Sequence, residues 1–334
     1  MSNAPSPALL FQTVNAYQRT AAIRAAVELD VFTAIAEGKR TPADIAARTS
    51  AAERGVRILC DSLVIFGFLT KDAAGYALTQ DSAVFLDKRS PAYAGGVIGF
   101  LLTPSLTGAF EHLTDAVRTG RTALPPGGTV APDHPVWVEF ARSMAGLMAM
   151  PAQILAQLVD GGAKKPLKIL DVAGGHGLFG VALAKLHPQS TVTCLDWPAV
   201  LAVAQDNATA ANLGDRFKKL PGSAFDVDWG AGYDVVLLTN FLHHFDEPGC
   251  IDLLKRAKAA LDPAGRAVAL EFIPDDNRTT PPDSAAFALI MLASTPSGDA
   301  YTFADLHRMY TAAGFAKCDL HELPPTFQRV VIGA

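Results

Sequence analysis

A chain of 334 residues with 28 Lys and Arg against 33 Asp and Glu carries a formal charge of −5; half of its residues are hydrophobic and 18% are charged. Disorder needs low hydrophobicity and high charge, so a largely unfolded chain is excluded. Mild acidity argues against general binding to nucleic acid or anionic membranes, and the length predicts two domains with a core that needs no disulfides.

Cys60, Cys194, Cys250 and Cys318 are far apart and form no CxxC pair, the pattern of reduced thiols rather than a zinc framework. Met1–Pro7 lacks the basic start of a signal peptide, and the apolar run Ala94–Leu102 is too short to span a bilayer. A cytoplasmic location is expected.

In chain order, Val14, Tyr17, Ala21, Ala25 and Leu29 recur at helical spacing and predict one long amphipathic helix. Thr41-Pro42-Ala43-Asp44 reads as a helix start with Thr41 as cap. A second helix is predicted over Ala51–Phe66, stopped by Gly67, and a hairpin over Phe68–Leu78. Helix, turn, helix and a two-stranded wing make a winged-helix pattern. DNA binding is not expected of it. Residues 1–100 hold 10 Lys and Arg against 9 Asp and Glu, too even a balance to neutralise phosphates. A packing or dimerisation role fits better.

Residues 96–160 read as connecting helices. A loop at 119–128 precedes a long helix that Asp133 is expected to cap, with Trp137, Phe140, Met144, Leu147 and Met148 along one face. From 167 the period changes. Strands at 167–172, 191–195, 233–238 and 266–271 alternate with helices at 178–186, 198–212, 250–261 and 303–313. Segments 318–321 and 328–332 close the chain as an antiparallel pair. Alternation of this kind predicts a Rossmann-like parallel sheet with ligands at the carboxyl ends of its strands. The domain boundaries expected are 1–95, 96–160 and 161–334.

The first of those strands runs into Asp171-Val-Ala-Gly174-Gly175-His176-Gly177. This is not the G-x-G-x-x-G of dinucleotide binding. Asp-x-x-Gly-Gly-x-Gly at a strand-to-helix turn is the spacing of S-adenosylmethionine binding. Asp196 ends the next strand, where an acid accepts from two ribose hydroxyls. Asp171 and the glycines would hold the cationic methionine end, and Trp197 would pack beside the cofactor.

On these motifs residues 9–334 resemble the small-molecule O-methyltransferases typified by caffeic acid and acetylserotonin enzymes and their bacterial relatives. The most specific segment is Asn240-Phe-Leu-His243-His244-Phe-Asp246-Glu247, followed by Cys250, which is similar to the family's Leu-His-Asp-Trp-x-Asp. The resemblance implies a class I methyltransferase fold behind a winged-helix dimerisation domain, and a homodimer with exchanged N-terminal helices, Phe11 or Gln12 reaching the partner. It places the catalytic base on His243 and the carboxylate that orients it on Glu271. A phenol ionises near pH 10 and histidine near 6.5, so such a base withdraws the proton only as the oxygen attacks.

Three departures qualify the match. Ala173 replaces a loop glycine, tolerable where φ is negative. Gly222-Ser223-Ala224-Phe225 stands where the family has Gly-Asp-aromatic; Ser223 is expected to meet the adenine amine, and Phe225 or Phe245 its ring. Ala300 falls on a second catalytic carboxylate, so either Asp299 substitutes or Glu271 acts alone. Cofactor contacts are thus expected from Asp171, Gly174, Gly175, Gly177, Asp196, Trp197, Ser223, Ala224, Phe225 and Asn240. An acceptor pocket is expected from Phe100, Trp137, Phe140, Met144, His244, Phe287, Met291 and Tyr301. No metal is expected: Asp275-Asp276-Asn277 reads as a solvated loop. His112, His134, His187, His307 and His321 show no partner pattern. Transfer to a hydroxyl of a small, aromatic molecule is the leading reading. Transfer to a thiol, or a cofactor-sensing DNA-binding regulator, are the alternatives.

Overall fold

A computed structural model describes residues 5–162 and 165–334. The expectation drawn from Met1–Pro7 rests partly on residues 1–4, which lie outside that range. The chain divides into two compact units, Met1–Ile98 and Gly99–Ala334.

The first unit holds α1 (Ala8–Val14), α2 (Ala16–Glu28), α3 (Val31–Ala36), α4 (Pro42–Thr49), α5 (Glu53–Ile65), the hairpin strands β1 (Leu69–Asp72) and β2 (Gly75–Leu78), and α6 (Gln80–Phe85). The single long helix expected from residue 14 is two helices, because the backbone at Asn15 (φ −90°, ψ 2°) ends one and starts the next. The start at Thr41 is as read: its hydroxyl accepts from the Asp44 N–H at 3.2 Å, with Pro42 inside the first turn. Phe32, Ile45, Leu63 and Tyr76 fill this unit's core. Arg57 and Lys71 both pair with Asp61, at 3.2 and 2.7 Å.

After α7 (Val97–Leu101) come α8 (Pro104–Glu111), α9 (Leu113–Thr119) and the long α10 (Val136–Asp160). Asp133 does not cap α10. It sits at φ +52°, and the imidazole Nδ1 of His134 accepts the Val136 N–H at 3.2 Å instead.

The rest of the chain then alternates β3 (Lys168–Val172), α11 (Leu178–Lys185), β4 (Thr191–Asp196), α12 (Pro198–Ala210), β5 (Phe217–Pro221), β6 (Tyr233–Thr239), α13 (Glu247–Ala260), β7 (Leu261–Glu271), α14 (Pro282–Ser294), α15 (Phe303–Ala312), β8 (Cys318–Glu322) and β9 (Arg329–Gly333). The seven strands lie in the order β5-β4-β3-β6-β7-β9-β8, parallel except for the antiparallel β9 and β8. The strand order reverses between β3 and β6, which opens a crevice at their carboxyl ends. Strand side chains alternate between two cores. Ile169, Val192, Val235 and Leu270 meet α10, α11 and α12 through Leu155, Leu183 and Leu201. Leu170, Leu195, Val236 and Ala269 meet α13 and α15 through Leu253, Leu254 and Leu306. Burying one such leucine contributes about 1.5–3 kcal/mol, so both faces hold the crevice walls rigid. Strand β5 and helix α14 are not apparent from the period. Phe217-Lys-Lys-Leu-Pro is a short edge strand with exposed lysines, and α14 is apolar nearly all round, with a leading proline as its start signal.

Candidate active site

Five strand ends converge here. Past β3, the turn at 173–177 runs through positive φ at Ala173 (+51°), Gly175 (+58°) and Gly177 (+73°). The negative φ that would have eased Ala173 is absent, and a left-handed alanine costs about 1–2 kcal/mol. Gly174 has no room for a side chain: a Cβ there would lie 2.5 Å from Cys194 Sγ. Past β4, the Asp196 carboxylate clamps the turn, accepting from the Gly175 N–H at 2.9 Å and from its neighbour Trp197 N–H at 2.7 Å.

Asp171 lies behind the turn rather than on the crevice wall. One oxygen accepts the Gly180 N–H of α11 at 3.0 Å, and Oδ1 is buried without a partner. Gly174 and Gly177 are likewise off the wall, the first under the turn and the second as the N-cap of α11. His176 turns inward too. Its Nδ1 accepts the Leu178 N–H at 3.2 Å, its ring stacks on Phe140, and burial lowers its pKa to about 4.

Burial raises the Asp171 pKa to about 7 and that of Asp196 to about 6, from 3.8. The folded state therefore holds these protons more tightly than the unfolded chain. The stability they contribute is greatest below about pH 4, falls as pH rises, and levels off above about pH 7. Thermal melts of the ligand-free protein should show this: the Tm of Asp171→Asn relative to the native chain should be higher at pH 8 than at pH 5 by several degrees. A pH-independent difference would contradict the assignment.

On the other side of the crevice, β6 ends at Asn240 (φ +54°) and a short turn carries Leu242–His244. Glu271, at the end of β7, organises this turn. Its Oε1 accepts the N–H groups of Phe241 and Leu242 at 3.0 and 2.8 Å, and its Oε2 is hydrogen-bonded to His243 Nδ1. Both residues are buried, 4% and 3% exposed. From behind, the Asp299 N–H donates to the His243 carbonyl at 3.0 Å, and a Cβ on Gly298 would lie 2.2 Å from that oxygen. Asp299 does not replace a second carboxylate: its side chain accepts from the Ala300 N–H and faces Arg278. Nor does Tyr301 reach the pocket, since its hydroxyl donates to the Phe245 carbonyl at 2.6 Å. Asp246 caps α13 through the Gly249 N–H at 2.9 Å.

The crevice encloses about 630 Å³. It is lined by Gly175, Asp196, Trp197, Ser223, Ala224, Phe225 and Asn240 together with Phe100, Trp137, Phe140, Met144, His244, Phe287 and Met291. His243 stands on its wall with Glu271 behind it. Sequence reasoning missed Thr129, Phe272 and Gln328. Phe272 stacks on Phe287 at 3.8 Å, and Gln328 hydrogen-bonds Asn240. It missed Asn207 too, whose amide donates to the His176 carbonyl at 2.9 Å. His187, read as unpartnered, meets Asp160 at 2.7 Å. Among the described residues no cluster of three His, Cys, Asp or Glu side chains is placed to hold a metal.

These residues fit an adenosyl sulfonium. Gly175 brings backbone to the crevice wall with no side chain in the way, an ionisable acid with spare lone pairs follows β4, and aromatic rings line the space. Fold and crevice together define a class I S-adenosylmethionine-dependent methyltransferase. Residues 110–316 match the O-methyltransferase domain family and residues 11–88 the O-methyltransferase dimerisation domain. The chain belongs to the O-methyltransferase family and is an enzyme that uses S-adenosylmethionine. A crystal structure of a candidate O-methyltransferase from Nostoc punctiforme is 52% identical, with 99% of each chain covered and a TM-score of 0.96. The 3-hydroxy-5-methyl-1-naphthoate 3-O-methyltransferase of Streptomyces sahachiroi is 29% identical over 86% of this chain and 84% of its own. Human N-acetylserotonin methyltransferase, solved with S-adenosylmethionine, shares the fold at 22% identity, a TM-score of 0.85, and coverage of 100% of this chain and 99% of its own.

Proposed function

We propose that the enzyme methylates a hydroxyl on a small aromatic molecule, with His243 as general base. The observation that carries this is the buried His243–Glu271 pair on the wall of a crevice otherwise rich in aromatic rings. Bound S-adenosylmethionine supplies a methyl group activated by its positive sulfur. Everything else falls to the chain. Glu271, itself held by two backbone N–H groups, keeps the proton of His243 on Nδ1. Nε2 is then bare and takes the acceptor's proton as its oxygen attacks. Phe100, Trp137, Phe140, Met144, Phe287 and Met291 hold the acceptor ring and exclude water. Asp196 meets the ribose, and Trp197, Ser223, Ala224, Phe225 and Asn240 frame the rest of the nucleoside. The aromatic acceptor is in keeping with the hydroxynaphthoate named for the Streptomyces relative. A thiol, ionising near pH 8.5, needs far less of this base machinery.

Residues 1–95 are proposed to pair two copies, and 96–160 to supply acceptor-pocket residues ahead of the cofactor domain at 161–334. The exposed apolar row Leu9, Leu10, Phe11, Val14 and Tyr17, each at least 60% exposed, supports the pairing. Four unpaired cysteines suit a cytoplasmic enzyme. No helix of the described residues is long and apolar enough to cross a membrane.

Glu271→Gln tests the base assignment. The new carbonyl still accepts from Phe241 and Leu242, but the amide NH₂ faces Nδ1 and forces the His243 proton onto Nε2. Methyl transfer to a phenol panel should drop about 100-fold, the low end of what a positioned base contributes. Calorimetric affinity for the cofactor should hold. Unchanged turnover would overturn the reading.

A further inference from the structure

The base and its carboxylate leave a second imidazole without a role. His244 follows directly, is 8% exposed, and stands on the same crevice wall. Its ring lies 4.2 Å from that of His243, and 5.0 Å from Trp137, which meets it edge-on. Burial, and secondarily the neighbouring imidazole of His243, push its pKa well below the usual range, so the ring is neutral. A neutral imidazole carries one proton, on one of two nitrogens. Nδ1 of His244 is buried with no hydrogen-bond partner. A sealed N–H without an acceptor is rarer and costlier than a bare acceptor atom. The proton therefore belongs on Nε2, the nitrogen left to the crevice. His243 is arranged the opposite way: Nδ1–H goes to Glu271 and Nε2 is bare. Two adjacent rings thus offer one acceptor and one donor side by side.

We propose that His244 determines acceptor specificity: its Nε2–H selects aromatic hydroxyls that carry a second, uncharged oxygen on the adjoining ring carbon. The reacting hydroxyl gives its proton to His243 while the neighbouring ether, hydroxyl or carbonyl oxygen accepts from His244. This rests on the reading of His243 as base. An uncharged oxygen is specified because the described lining residues include no Lys or Arg, and the charged ones, Asp196 and Asp226, are acidic. A carboxylate would enter this space with nothing to pair it.

Binding separates this inference from the catalytic one. The full-length protein, saturated with S-adenosylhomocysteine, is titrated calorimetrically with 2-naphthol, 3-methoxy-2-naphthol and 6-methoxy-2-naphthol. The two methoxy compounds have the same size and differ in where the second oxygen lies. The 3-methoxy compound should bind about tenfold more tightly than the 6-methoxy compound, the worth of one buried hydrogen bond. His244→Phe should bring that ratio near one, and His244→Asn, which keeps an N–H donor, should restore part of it. A ratio near one in the native protein, a ratio that survives His244→Phe, or no binding of any of the three would overturn the proposal. Should His244→Phe fail to fold, the native ratio decides alone. Loss of the base role, seen as undiminished turnover in His243→Ala, would not change these affinities.

Discussion

Replacing His243 with alanine should lower kcat for a phenolic acceptor about 10³-fold or more, while cofactor affinity moves less than about threefold. A positioned base contributes roughly 10²–10⁴-fold, and the proposed base is held from three sides. Glu271 is hydrogen-bonded to its Nδ1, the Asp299 N–H holds its carbonyl at 3.0 Å, and the Phe287 ring meets the imidazole edge-on at 4.8 Å. None of these contacts touches the glycine turn or Asp196, so the nucleoside end should survive the truncation. The substitution also leaves Glu271 Oε2 without its partner, which will cost stability. That is why the cofactor titration matters: a variant that has lost its fold loses affinity and turnover together. Added imidazole should restore part of the rate in His243→Ala by occupying the space the ring has left. Undiminished kcat in a variant that still binds the cofactor would remove His243 from the chemistry.

What could be read from residues alone divides along a physical line. Local rules held where neighbours in sequence settle the outcome. Thr41 caps its helix because a short oxygen-bearing side chain reaches an N–H three residues on, with a proline inside the first turn. The alternation of apolar strands with helices was enough for the parallel sheet, and so for the convergence of strand ends. Features set by distant partners were not legible. Tyr301 sits close to the site in sequence, but its hydroxyl is taken by Phe245. Phe272 and Gln328 reach the crevice because β9 pairs with β7 in a register that brings Arg329 beside Glu271. Asp133 looked like a cap, yet the two prolines around His134 carry the backbone past it, so His134 does that work. Asp171 belongs to the motif that identifies the turn, but its task in the fold is to hold α11 against β3.

Asp196→Ala should do the reverse of His243→Ala, weakening cofactor binding 10²–10³-fold while kcat at saturating cofactor falls by less than about tenfold. The carboxylate is nearly buried, and burial outweighs its backbone hydrogen bonds to raise its pKa to about 6, so it is ionised at pH 7.5 only at a cost. Two backbone N–H groups, from Gly175 and Trp197, offset part of that cost and use one lone pair on each oxygen. One lone pair on each remains. Paired ribose hydroxyls would fill both, and hydrogen bonds to a charged group contribute about 1.5–3 kcal/mol each; two near the lower end of that give the expected range. The alanine also frees the Gly175 N–H, so the turn loses the clamp that holds its left-handed geometry. Asp196→Asn keeps one of those acceptors and should fall between. Affinity and kcat are thus expected to separate across the crevice, affinity at the end of β4 and rate at the turn after β6. If Asp196→Ala instead abolished kcat with cofactor affinity intact, the ribose would not lie at β4 and the orientation proposed for the whole site would be reversed.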